Sequence, residues 1–311
     1  MVILPVTCVL TLAGCRWSPF GNTKNAEGVN KEVLITDAVK KISSAKSMDA
    51  DIDAKLTARA QMSGVSLGVN AVTGLNVRSA KQDNASHAKG NITFELIGEK
   101  GSVDLETYSL DKDDIRYTYI RQNDLFSGDS GWIVTKNHKN EKSGENGDGG
   151  DTGEAFSRLS LGDIFSLYDS AKDSLAGLTL KDGTQTKEGR ECYIVEGTLK
   201  GENVKAFTEG LGFNVPGIAG LPKPDLTGID ADIRMYFEKD SGDPYVIEVK
   251  IPEVTGVSDG SALVFGIDDI DATIKFNSFN ANNEIKVPEE VEKSALNSVD
   301  SEEVQEMLNA K

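Results

Sequence analysis

A chain that performs covalent chemistry must set a nucleophile beside a base, or gather ligands around a metal ion. Two serines in this sequence stand in suggestive settings: Ser43 in Ser43-Ser44-Ala45-Lys46, and Ser130 in Gly128-Asp129-Ser130-Gly131-Trp132. The first spacing is that of a serine activated by a lysine one helical turn on. It needs Ser-Asp-Asn and Lys-Thr-Gly partners downstream, and neither tripeptide occurs. The segment reads instead as a helix end with Lys46 turned to solvent. Ser130 would need a histidine and an acid upstream, and neither His87 nor His138 sits in such a context. Residues 128–131 therefore read as a turn leading into a strand at Trp132. Both histidines read as surface residues. No His-Glu-x-x-His spacing is present, so no zinc site is expected. The carboxylates of Asp268, Asp269 and Asp271, and those of 145–154, lack the alternating ligand register of a calcium loop. No glycine-rich phosphate loop follows a strand. The sequence predicts a non-enzyme without metal or cofactor.

The N-terminus is more telling. Residues 2–13, VILPVTCVLTLA, form an apolar run of the length of a signal-peptide core. Spanning a bilayer takes roughly 20 apolar residues, so the run is too short for that. It ends in Leu12-Ala13-Gly14-Cys15, which resembles the bacterial lipobox. In that family the peptidase cuts before the cysteine, whose thiol carries a diacylglycerol. The resemblance marks Cys15 as the lipidation site and residues 1–14 as signal peptide. No Lys or Arg precedes Arg16, so the family's basic n-region is absent; a start further upstream would supply it. Of the three cysteines, Cys8 leaves with the signal and Cys15 is acylated. Cys192 alone remains, in the apolar run CYIV, and reads as a buried structural thiol. The formal charge of −17 and the lack of a basic patch exclude nucleic acid as a partner.

The elements that follow define the body of the protein. Residues 15–31 are polar and turn-rich, a flexible tether. In KEVLITDAVKKISSAK, Val33, Leu34, Ala38, Ile42 and Ala45 recur at helical spacing. From Met48 to Met62 every even position is apolar or small and every odd position polar. Strict period-2 alternation predicts one long strand with a dry face and a wet face, in an antiparallel sheet. At about 3.3 Å per residue such a strand measures near 50 Å, a length typical of a large curved sheet. Its dry face carries Ala50, Ala54, Ala58 and Ala60, which leaves room for something bulky above it. Further strands are predicted at 65–78, 87–98, 102–110, 114–121, 131–136, 177–182, 191–199, 230–239, 244–252 and 262–277. The turn cluster 239–244 joins two of them as a hairpin. Residues 137–154 read as an acidic, disordered loop. A second helix is expected over 160–175, where Phe165 and Tyr168 face the core or line a pocket. The apolar Gly/Pro-rich insert 204–224 supplies Phe207, Leu211, Phe213, Ile218 and Leu221 as candidate ligand-cavity or lid residues. A single domain over 32–295 is expected, with a tail helix over 296–311.

Several phrases together resemble one family: AVKKISSAKSMDADIDAKL, CYIVEGTL, IRMYFEKDSGDPYVIEVKI and the closing FNSFNANNEIKVPEEV. With the lipobox and tether, they are similar to lipoproteins of the Lol-carrier-like fold. That group includes the mycobacterial glycolipid carriers of the LppX/LprG kind and uncharacterised lipoproteins of Gram-positive bacteria. The resemblance implies an α+β fold: a large curved antiparallel β-sheet, an open half-barrel, with helices packed on the concave face. It also implies a hydrophobic cavity for acyl chains, and tethering to the outer face of the cell membrane. The loop 137–154 and the insert 204–224 are additions to that pattern. Two readings follow: a carrier of lipid, glycolipid or another hydrophobic ligand, or an envelope protein-interaction and assembly module with a self-filled core.

Overall fold

The computed structural model describes residues 27–62, 65–81, 84–96, 99–124, 128–138, 177–201, 230–252, 254–257, 263–281, 284–294 and 296–300. The first helix, α1 (Lys31–Ser44), begins at an Asn30 cap whose side chain accepts the Val33 N–H at 3.1 Å. Leu34, Ile35, Ala38 and Ile42 are buried along it. The stripe is rotated from the expected one: Ile35 turns inward, and Val33 is 54% exposed.

Next come β1 (Ser47–Met62), β2 (Val65–Ala80), β3 (Ala85–Leu96), β4 (Glu99–Lys112), β5 (Ile115–Asp124) and β6 (Gly128–His138). Each pairs antiparallel with the next, a plain meander. The second half supplies β7 (Thr179–Leu180), β8 (Gln185–Lys187), β9 (Arg190–Leu199), β10 (Ala231–Glu238), β11 (Pro244–Ile251), β12 (Val254–Val257) and β13 (Leu263–Phe279). A short helix, α2 (Glu289–Ser294), and β14 (Leu296–Asp300) follow. The long strand predicted from alternation is β1, and it joins the halves by pairing with β2 on one side and β13 on the other. The result is one 14-stranded sheet whose main path runs β14-β6-β5-β4-β3-β2-β1-β13-β11-β10-β9-β7. Its ends, β14 and β7, do not meet, so the sheet is an open half-barrel.

Two departures from the sequence reading concern this sheet. The segment 128–131 is strand rather than turn, with Gly131 at φ 73° and an irregular register between Arg121 and Asn123. Only glycine enters that left-handed region without strain. The tail expected as a helix from 296 begins as a strand. Leu296–Asp300 pairs parallel with β6, which would otherwise leave its backbone donors and acceptors unpaired. Residues 301–311 lie outside the described residues.

Period 2 sorts the side chains. On β1 the even residues face inward, with Met48, Ala50, Ile52 and Ala58 buried, and Asp49, Asp51, Asp53 and Lys55 face outward. The register extends this inner face through Leu75 and Val77 of β2, Ile274 and Phe276 of β13, and Ile247 and Val249 of β11. Strand β13 carries one residue more than β1 at Asn277 and again at Asp268. Such bulges bend a strand and increase its twist. Both bulged side chains are held: Asn277 donates to Asp49 and Asp51, and Asp268 pairs with Arg59 at 2.6 Å. A third bend lies at Gly90 on β3. A Cβ there would stand 1.9 Å from the Gly74 carbonyl oxygen and 2.8 Å from Leu75 Cα. The sheet therefore folds toward its inner face where β2 meets β3.

The two described helices take opposite faces. Helix α1 packs inward, with the core cluster of β1, β13, β11, β10 and β9. Helix α2 lies outside, where Ile285 and Val291 pack with Tyr108, Tyr119, Trp132 and Val134. The outer face is charged at β1 but aromatic over β4–β6, and that aromatic surface needs a cover.

Candidate functional site

The inner face carries the main apolar cluster of the described residues. Its apolar side chains run without interruption from Leu105 on β4 to Val195 on β9. The lowest part of the floor lies across the middle, where Val249, Ala272, Ala54 and Thr73 align on four neighbouring strands. Alanine at two of these positions removes side-chain height between Ile52 and Leu56. Ala54 is half-buried, whereas Ala50, nearer α1, is 0% exposed. Beyond Leu105 the same face turns polar: Thr107, Ser109 and Thr118 are buried, and Arg116 pairs with Asp111 at 3.3 Å. The chemistry available on this surface is burial of apolar area, with hydroxyls at one side.

Of the predicted site residues, Cys15, Phe165, Tyr168, Phe207, Leu211, Phe213, Ile218 and Leu221 all lie outside the described residues, as do the acidic loop beyond His138 and the insert 204–224. A surface groove of about 250 Å³ lies between α1 and the β10–β11 turn, with Leu34 at its base among polar side chains. It is lined by Asp37, Lys40, Lys41, Ser241 and Asp243, and the Lys41–Asp243 ion pair at 2.7 Å closes across it.

The side chains of the serine candidates, Ser43 and Ser130, lie outside the described residues. Ser44 Oγ donates to the Lys41 carbonyl at the end of α1, and the backbone N–H of the exposed Lys46 donates to Asn280. Cys192 is fully buried, and burial pushes its thiol pKa up, away from the reactive thiolate. Among the described residues no three His, Cys, Asp or Glu side chains converge as metal ligands. No described helix is long and apolar enough to cross a membrane.

One polar cluster escaped the sequence reading. His87, read as a surface residue, is 4% exposed on the outer face. Its Nδ1 lies 2.7 Å from Arg78 Nη2 and its Nε2 3.1 Å from Glu106 Oε1. Its ring stacks on Tyr108 with centroids 4.3 Å apart. Burial, with help from the Arg78 charge, holds His87 below its usual 6.5, against the opposing pull of Glu106. Burial alone would raise the Glu106 carboxyl, but hydrogen bonds from His87, Lys89 and Tyr108 hold it below its usual value. Burial and the Glu106 charge push the Tyr108 phenol up to about 12. His87 is enclosed by neighbours on the adjacent strands, Arg78 of β2 and Glu106 and Tyr108 of β4.

No protein-family model matches the chain, and no curated protein matches it. Among solved structures it is similar to LprF from Mycobacterium bovis, at 12% identity and a TM-score of 0.40, over 83% of this chain and 96% of that one. It is similar to the Mycobacterium tuberculosis lipoprotein LppX at 12% identity and a TM-score of 0.35, over 82% and 97% of the two chains. A DUF1329 family protein from Desulfovibrio piger aligns over 82% of this chain at 10% identity and a TM-score of 0.22. LppX is a lipoprotein of the kind that the sequence phrases resemble.

Proposed function

We propose that this protein is a membrane-tethered extracytoplasmic lipoprotein that binds a lipid or other hydrophobic ligand against the inner face of its sheet and catalyses no reaction. The observation that carries the reading is the uninterrupted apolar floor from β4 to β9, lowered by Ala54 and Ala272 at its centre. An acyl chain laid on such a floor leaves water at a gain of about 0.8 kcal/mol per methylene. The Leu12–Cys15 motif supports the anchor, because two or three acyl chains on one cysteine hold a domain stably at a membrane. The partners are then the membrane through its anchor, and a lipid or glycolipid as ligand.

The full burial of Ala50 and Ile274 favours a second reading, an envelope assembly module whose core is filled by its own side chains. Native mass spectrometry on the Cys15→Ser protein, purified without detergent, separates the two. The carrier reading expects a co-purifying lipid, lost when Ala54→Phe raises the floor. Ligand-free protein that also fails to take up added phospholipid or glycolipid would leave only the assembly module. For the anchor, labelled palmitate should enter the unaltered chain and not Cys15→Ser.

A further inference from the structure

The cluster around His87 has a directional property set by hydrogen-bond chemistry. A guanidinium only donates, so Arg78 Nη2 at 2.7 Å requires a lone pair on His87 Nδ1. The ring proton then sits on Nε2 and is donated to Glu106 Oε1 at 3.1 Å. Lys89 Nζ and the Tyr108 hydroxyl donate to the same carboxylate at 3.3 and 3.2 Å. A second proton can enter the imidazole only at Nδ1. There it destroys the acceptor that Arg78 uses and sets two cations in contact.

The ring is also a mechanical support. It stacks on Tyr108, which leans on Trp132 at 5.7 Å, and Ile285 and Val291 pack into that aromatic cluster. Lys112 ties the same segment to the sheet through Glu292 at 2.8 Å. We propose that Arg78, His87 and Glu106 form a proton-sensitive latch that keeps the C-terminal segment 284–294 docked on the outer face, and that protonation of His87 releases it.

The charges facing His87 come from several strands. Arg78 on β2 and Lys89 on its own β3 oppose a second proton, and Glu106 on β4 favours it. Arg121 of β5 lies opposite Glu106 in the register. Asp49 of β1 lies opposite Arg78 and is engaged by Asn76 and Asn277. From the docked segment, Glu290 acts on Tyr108 rather than on the imidazole. Burial tips the balance toward the neutral ring. The unfolded chain takes up a proton near pH 6.5 that the folded chain refuses until lower pH. The latch is thus fully stable above 6.5 and weakens as pH falls below it. Glu106, itself held below its usual 4.5, keeps its charge as the unfolded chain's histidine begins to titrate.

The chain has two histidines and two tryptophans, so both readouts are clean. Nitrogen-15 NMR of labelled histidine should show His87 neutral with its proton on Nε2 at pH 7, and taking up its second proton only below 6.5. In the Trp17→Phe protein, Trp132 fluorescence and hydrogen exchange over 284–294 should change together as His87 titrates. His87→Gln, which can still accept from Arg78 and donate to Glu106, should abolish that transition above pH 4.5. Arg78→Gln, which removes the opposing charge, should move the midpoint upward and stands as the independent arm if His87→Gln does not fold. A proton found on Nδ1, an unchanged transition in His87→Gln, or exchange over 284–294 indifferent to His87 protonation would overturn the latch.

Discussion

Gly90→Ala tests the claim that the bend between β2 and β3 shapes the inner face. The added methyl would sit 1.9 Å from the Gly74 carbonyl oxygen and 2.7 Å from Leu75 Cδ2. The first obstacle is backbone, so relief requires the two strands to move apart rather than a side chain to rotate. Glycine-to-alanine in a strand would by itself gain about 0.5–1 kcal/mol from the unfolded chain. Overpacking a fixed core costs about 1–3 kcal/mol and more where backbone is struck. The clash therefore wins, and a net loss of about 2–3 kcal/mol is expected. For a domain of this size that lowers Tm by roughly 4–12 °C. Two controls grade the effect. Gly68→Ala meets nothing within 4 Å and should be neutral or slightly stabilising. Gly74→Ala meets only the Asp53 carboxylate at 3.2 Å, the end of a side chain that can turn away. Calorimetry on all three proteins decides it. Equal Tm for Gly90→Ala and Gly68→Ala would refute the argument that the sheet is folded sharply at that point.

Two further outcomes rest on single groups. Because the Tyr108 phenol is held neutral to about 12, the unfolded chain ionises first above pH 10, so stability should decline between pH 10 and 12. That loss should shrink in pH-dependent denaturant titrations of Tyr108→Phe, and what remains belongs to Tyr119, Tyr193 and Tyr245, whose phenols burial also raises. Asn30→Ala removes the acceptor that caps α1 and should cost about 1 kcal/mol by chemical denaturation, while Asn30→Asp should retain most of it.

Much of this architecture is written locally. The alternation of Met48–Met62 is a property of consecutive residues, and it fixed a long half-wet strand before any partner was known. The hairpin of β10 and β11 follows from the turn residues 239–244 for the same reason. Helix α1 was legible through its period, although Val33 was placed on the face and Ile35 was not; at 3.6 residues per turn Ile35 lies about 60° from the centre of the Leu34, Ala38, Ile42 stripe and Val33 about 140°.

What tertiary structure decided depends on which distant segment covers which face. Period 2 says that His87 and Tyr108 point away from Leu75, but not that Ile285 and Val291 pack with Tyr108. An outward tyrosine is a surface group or a buried one according to a distant segment of the chain. The strand at 296–300 has the same origin: its state is set by the open edge of β6, not by its own sequence. The close approach of Gly90 to the Gly74–Leu75 backbone depends on the pairing of β2 with β3. Local pattern fixes the faces of each strand; long-range pairing fixes what stands opposite them.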